Sequence, residues 1–295
     1  MPWTLLPLAL LGLAEMPAFA ALSFLALLQG LTEFLPVSSS GHLVLAQSVM
    51  GLDEPALVVD VALHVGTLVA VLIVYRADLR DLLGGLTQGR WREPLLLALG
   101  TLPAVIVGLG FKERVEHAFE SPRVAAYGLF VTALLLTIGE VFRRRRLVAD
   151  PEGPVGRCED GSVPESRLPE KPIGAGIALC VGVAQAMAIC PGISRSGSTI
   201  AMGLVLGLAP KQAARLSFLL AIPAILGAAV LQLPDVLEGD ALGAPGPLLW
   251  AMAFAAFVGW GALRMLLAFL GRGAFAWFAV YCVALGAGFL AFGPL

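Results

Sequence analysis

Gln29-Gly30-Leu31-Thr32-Glu33-Phe34-Leu35-Pro36-Val37-Ser38-Ser39-Ser40-Gly41-His42 breaks into the middle of an apolar run that extends over about 20–52. The run is long enough to cross a bilayer, yet its centre holds a carboxylate, an imidazole, four hydroxyls and a proline. Backbone interrupted at membrane depth is tolerated only where protein or a water-filled cavity surrounds it. The stretch therefore predicts a helix–loop–helix hairpin that enters and leaves on one face. Pro36 ends the first helix, and the serine run offers hydroxyl caps for a second helix starting near Gly41.

The pattern returns further along the chain. A shift of 156 positions lays Gln29 on Gln185, Ser38 on Ser194, Ser40 on Ser196, Gly41 on Gly197, Gly51 on Gly207 and Leu52 on Leu208. The second copy reads Pro191-Gly192-Ile193-Ser194-Arg195-Ser196-Gly197-Ser198-Thr199 and interrupts another apolar stretch, about 173–209. Uninterrupted apolar runs lie at about 57–75, 94–111 and 123–142 between the two copies, and at 213–233, 247–270 and 274–293 after them. Three spans between the copies is an odd number, so the second copy sits upside down relative to the first. The predicted fold is an all-α polytopic membrane protein: six transmembrane helices plus two re-entrant helix–loop–helix hairpins in an inverted-topology repeat. Its units are an apolar N-terminal extension at 1–18, a first repeat at 19–142, a cytoplasmic linker at 143–172 rich in proline, and a second, inverted repeat at 173–295.

Composition agrees with this reading. Of 295 residues, 58% are hydrophobic and 14% charged, and the net charge is −2; soluble chains carry about 25% charged residues. A soluble enzyme, a disordered tail and a disulfide-stapled secreted domain are excluded, and without a basic face no nucleic-acid partner is expected. Cys158, Cys180, Cys190 and Cys282 have no metal-binding or C-x-x-C spacing and read as small apolar residues. The 19 Lys and Arg divide unevenly between the two membrane faces: Lys112, Arg114 and Arg123 fall on one side, Arg195 lies inside the second hairpin, and all others share the opposite side. That bias puts 76–92 and 143–172 in the cytoplasm. The Arg143–Arg146 run is a topology anchor on this reading.

Nearly all the intramembrane polarity sits in the two interrupted strings. Charges at membrane depth cost several kcal/mol, so the default inference is a functional site with mutual partners. Gln29 and Glu33 share one helix face. Two helix N-termini with free N–H groups form ready-made phosphate sites, and Ser38, Ser40, Gly41, Ser194, Ser196, Gly197, Ser198 and Thr199 are the candidate phosphate-binding residues. Arg195 adds a planar fork for phosphate oxygens. Glu33 and Gln29 offer hard oxygen ligands suited to Mg²⁺ or Ca²⁺ rather than zinc. Each residue also has a plain structural reading: serines as caps, Glu33 with Arg195 as an ion pair, His42 as a bonded core residue. Asp60 and His64 share a face of the next helix and either line the cavity or meet the headgroups. Gly203 and Gly207 have the spacing of helix packing.

The strings Gln29 to His42 and Pro191-Gly-Ile-Ser-Arg195-Ser-Gly-Ser-Thr-Ile resemble the two signature motifs of the undecaprenyl-diphosphatase family, the bacitracin-resistance phosphatases of bacterial envelopes, and the resemblance covers about 19–293. It implies hydrolysis of undecaprenyl diphosphate to the monophosphate and inorganic phosphate, which recycles the lipid carrier for peptidoglycan synthesis. It also implies a divalent metal, a homodimer among membrane lipid, and an active site facing the periplasm from the inner membrane. Glu33 and Gln29 match the family's (Glu/Gln)-x-x-x-Glu metal pair, Ser39 and His42 its catalytic serine and histidine, and Arg195 its phosphate-binding arginine. Gln29 stands where some members carry Glu, and residues 1–18 lie outside the family pattern.

Three nucleophiles stay open at this stage: Ser39 with His42 as base, His42 itself, or water activated at a Glu33-bound metal. The competing reading is a transporter or lipid-carrier flippase, since inverted repeats with broken helices are a transporter architecture.

Overall fold

A computed structural model describes residues 18–51, 57–149, 170–238, 245–270 and 275–294, and among them every regular element is a helix. In chain order these are α1 (Ala18–Thr32), α2 (Ser39–Val49), α3 (Leu57–Val74), α4 (Arg76–Thr87), α5 (Arg92–Gly110), α6 (Lys112–Phe119), α7 (Pro122–Ala149), α8 (Ala175–Met187), α9 (Arg195–Val205), α10 (Pro210–Glu238), α11 (Pro245–Phe269) and α12 (Phe275–Phe292). The extension at 1–17, most of the linker and Cys158 lie outside the described residues.

Five helices, α5, α7, α10, α11 and α12, are long and apolar enough to cross a membrane. The sixth expected span, α3, ends at Tyr75, where the chain bends by 77° into α4. The reason is in the sequence: Arg76, Asp78, Arg80 and Asp81 make α4 amphipathic, and such a helix lies along an interface rather than crossing it. α7 runs past its apolar segment to Ala149, so the first residues of the polar connection, 143–149, are helical. Glu140 holds it there by accepting from Arg143 Nε at 2.8 Å and Arg144 Nε at 2.6 Å, one turn on.

The short pairs α1–α2 and α8–α9 flank the two interruptions. Strong helix contacts join α11 to α3 and α1, α12 to α7, and α5 to α8, while α9 packs between α7, α8 and α10. At the centre Phe34 and Phe218 are both fully buried and meet edge to face, 5.8 Å between ring centroids. Large apolar side chains such as Trp277, Phe257 and Val230 point outward instead. In water such a belt is an association hazard, whereas against lipid it is the ordinary surface of a spanning bundle.

Two glycines fix how the interruptions meet. Gly192 has φ +85°, and a Cβ there would stand 1.9 Å from the Ala125 carbonyl oxygen, so the second tip presses backbone to backbone on α7. A Cβ on Gly41 would lie 2.8 Å from Gly192 Cα, so the two tips touch each other. Thr132 on α7 locks this contact, donating to Gly192 O and accepting from Ser194 N, both at 2.8 Å.

Candidate active site

α2 begins at Ser39, two residues before the expected start, because Ser38 is the cap. Its hydroxyl accepts from Gly41 N at 3.2 Å and lies 3.3 Å from Ser40 Oγ. α9 begins in the same way: Ser194 Oγ accepts from Gly197 N at 3.0 Å and lies 3.2 Å from Ser196 Oγ. One difference separates the caps. Ser38 has φ +69°, an uncommon conformation for a residue with a side chain, whereas Ser194 is extended.

These two starts converge on Glu33, which follows the last turn of α1 and is buried. Ser39 donates to its Oε2 at 2.6 Å, Arg195 Nη2 donates to its Oε1 at 2.5 Å, and Gln29 Nε2 donates to Oε2 at 3.0 Å. His64 Nε2 stands 3.5 Å from the same Oε2. One carboxylate thus gathers a hydroxyl, an amide, an imidazole and a guanidinium from α1, α2, α3 and α9. Two polar atoms here are buried without a partner: Arg195 Nη1 and Gln29 Oε1.

His42 stands in a separate pair. Its Nδ1 lies 2.7 Å from Ser38 O and its Nε2 2.8 Å from Tyr281 Oη. A carbonyl only accepts, so Nδ1 carries the proton, and Tyr281 donates to the Nε2 lone pair. The rings are nearly parallel, 7° apart. Ser39 and His42 therefore form no direct pair in this arrangement, because the Ser39 hydroxyl goes to Glu33. Ser198 and Thr199 are also turned away from Glu33. Ser198 donates to Ser194 O at 2.7 Å, and Thr199 donates to Arg195 O at 2.7 Å and meets Ser217 Oγ at 2.6 Å. Both brace the first turn of α9. Asp60 is buried and accepts from Gln47 Nε2 at 2.8 Å, so it faces the interior and not the headgroups.

The donor set suits a hard cation. Glu33 supplies a carboxylate, and the buried Gln29 Oε1 is an oxygen acceptor with nothing to accept from. Among the described residues no group of three or more His, Cys, Asp or Glu side chains forms a metal cluster. Cys180, Cys190 and Cys282 are free thiols.

The family described as bacitracin resistance protein BacA matches residues 22–288. The chain belongs to the BacA family. A protein of Desulfosudis oleivorans named undecaprenyl-diphosphatase is 42% identical over 279 residues, 89% of this chain and 94% of that protein. Proteins of the same name from Rubrobacter xylanophilus (42% over 273 residues, 88% and 92%) and Carboxydothermus hydrogenoformans (40% over 275 residues, 92% and 95%) are also similar. The BacA match contains both interrupted strings and every residue around Glu33. Sequence reasoning missed Thr132 and Tyr281 there. Thr132 is one of several polar side chains on α7, and Tyr281 is a tyrosine in an otherwise apolar helix, so neither carried a signal that marked it out.

Proposed function

We propose that this membrane protein hydrolyses undecaprenyl diphosphate to undecaprenyl phosphate and inorganic phosphate, with Glu33, Ser39 and Arg195 at the centre. One observation carries the reading: Glu33 and Arg195, 162 residues apart, meet between two helix starts while Arg195 Nη1 keeps an unused donor. A buried guanidinium with a free N–H is matched to a phosphoryl oxygen, and the first-turn N–H groups of α2 and α9 add partial positive charge. Charge stabilisation of this kind dominates phosphoryl transfer.

The hydrogen bond from Ser39 to Glu33 favours Ser39 as nucleophile. The hydroxyl proton passes to Glu33 Oε2 as Oγ bonds to the terminal phosphorus, and the P–O bond to undecaprenyl phosphate breaks. Glu33 hands that proton to the departing undecaprenyl phosphate; water then attacks the phosphoserine and gives a proton to Glu33, which passes it to Ser39 Oγ as the P–Oγ bond breaks and inorganic phosphate departs. His42, held by Ser38 O and Tyr281, keeps Ser38 and the start of α2 in register. A bound Mg²⁺ or Ca²⁺, held by Glu33 and Gln29, supplies further charge neutralisation for the diphosphate oxygens.

The membrane arrangement follows from lengths and charges. α1, α2, α8 and α9 have 15, 11, 13 and 11 residues. At about 1.5 Å per residue none spans a hydrocarbon core of about 30 Å, which supports re-entrant hairpins in an inverted repeat. The skewed basic residues support an inner-membrane protein with its site open to the periplasm. The homodimer comes from the resemblance alone.

The test is phosphate release from undecaprenyl diphosphate by purified wild type and Glu33→Gln protein in detergent, with Mg²⁺, Ca²⁺ or EDTA. Cation-dependent release, lost in the variant, is expected. No release from folded wild type under any cation would replace the phosphatase by a transporter.

A further inference from the structure

His64 is the one side chain at the Glu33 carboxylate that the proposed reaction leaves without a task. It comes from α3, a different helix from Gln29 and Glu33, and its side chain is partly open at 29% exposure. Its Nδ1 lies 2.6 Å from the Asp60 carbonyl oxygen. A carbonyl only accepts, so Nδ1 holds a proton, and Nε2 is the ring nitrogen nearest Glu33 Oε2. The separation of 3.5 Å is longer than an N–H···O hydrogen bond. Two donors at right angles around one cation stand about 3.0 Å apart with bonds of about 2.1 Å, and about 3.4 Å apart with bonds of about 2.4 Å.

We propose that His64 Nε2 is a third ligand, beside Glu33 and Gln29 Oε1, to a divalent cation at this site. The inference rests on the cation dependence proposed above. Histidines that bind metals almost always donate their other ring N–H to a carbonyl or carboxylate, which fixes the tautomer and aims the lone pair; the Asp60 carbonyl does this here. Asp60 is itself tethered to α2 by Gln47. The second observation is Gln29 Oε1, fully buried and without a hydrogen-bond partner, on an amide whose nitrogen already touches Glu33. A carboxylate, an amide oxygen and an imidazole form a mixed set for the Mg²⁺ or Ca²⁺ proposed above, with water and phosphate oxygens completing the shell and Mn²⁺ as a spectroscopic substitute. The site exists once. The shift of 156 brings Ile189 and Leu220 to the places of Glu33 and His64, so the second half keeps only Gln185 of the three.

Mn²⁺ titrated into tag-free protein, followed by electron paramagnetic resonance with nitrogen modulation, reads the ligand directly. The chain has three histidines, so every imidazole is accounted for by His42, His64 and His117 variants. Wild type at saturating Mn²⁺ is expected to show one coupled imidazole nitrogen. His64→Ala should lose that coupling and bind Mn²⁺ about tenfold or more weakly, while His42→Ala and His117→Ala keep it. If His64→Ala does not fold, His64→Gln serves, because its amide binds through oxygen and the nitrogen signal still disappears. Bound Mn²⁺ without nitrogen coupling in wild type, or coupling that survives in the His64 variants, overturns the assignment and leaves the Glu33 reading standing. Folded wild type that binds no Mn²⁺ overturns both the ligand and the cation requirement. Phosphate release by the same preparation tests the phosphatase reading separately.

Discussion

Ser39 and Arg195 are the first residues of α2 and α9, and they hold the two oxygens of one carboxylate, Ser39 on Glu33 Oε2 and Arg195 on Oε1. They are also equivalent positions in the two halves of the chain, 156 apart. The same register that caps both helices delivers a hydroxyl to one side of Glu33 and a guanidinium to the other. Arg195→Lys keeps the charge and loses the fork, which cannot be shared between Glu33 and a phosphate. Turnover is expected to fall at least about 100-fold, measured as phosphate release, with the far-ultraviolet spectrum unchanged.

Removing the acid tests the same contact from the other side. Glu33→Ala leaves a partly buried guanidinium without its counter-charge, a loss that approaches the ~3–5 kcal/mol of a fully buried pair. Glu33→Gln keeps volume and one acceptor and should fold. Thermal unfolding in detergent is expected to rank wild type above Glu33→Gln, and Glu33→Gln above Glu33→Ala, with both variants inactive.

The two caps should respond differently to glycine. Each loses a hydroxyl that satisfies a first-turn N–H, but glycine is itself a tolerated cap, so the loss is only a few tenths of a kcal/mol. At Ser38, whose φ is +69°, glycine also relieves a strained backbone by about 1 kcal/mol. Ser38→Gly should therefore unfold at or slightly above the wild-type temperature and Ser194→Gly slightly below it. Equal losses would mean that the Ser38 backbone carries no strain.

Tyr281→Phe removes the donor to His42 Nε2 and keeps the ring against the imidazole. The freed lone pair is expected to react several-fold faster with diethyl pyrocarbonate, read by mass spectrometry at His42. An unchanged rate would place the hydroxyl elsewhere. The stability cost should be about 1 kcal/mol.

Gly192→Ala drives a methyl group into the Ala125 carbonyl at a positive φ. Overpacking and the backbone penalty together cost about 2–5 kcal/mol. Because Gly192 also touches Gly41, phosphate release is expected to vanish before the helices melt. Circular dichroism and activity followed along one temperature ramp would reveal that order.

The helices and the two breaks were readable because lipid demands long apolar runs and punishes every exception. Glu33, Gln29, Ser39 and Arg195 were visible as exceptions of that kind, and in the structure they are in contact. The bend at Tyr75 was harder to see, since the apolar run ends only one residue before the charges of α4. The separation of His42 from Ser39 was not visible at all. It depends on Tyr281, 239 residues away, and no local pattern encodes which lone polar side chain of α12 turns inward. Thr132 is hidden for the same reason: its task is set by the backbone of a distant tip.

The shared caps and the unshared acid have a consequence for symmetry. Were the halves identical, a second carboxylate would stand at position 189 and a second arginine would replace Ser39. Two acids and two guanidiniums would then have to pair within one largely buried space, where any unmatched charge is screened least. The scaffold of the two tips tolerates duplication because hydroxyls and glycines are neutral, but the reactive charges do not. Divergence between the copies leaves one acid with one arginine at the centre between them, and Glu33/Ile189 and Ser39/Arg195 are two positions at which the halves part.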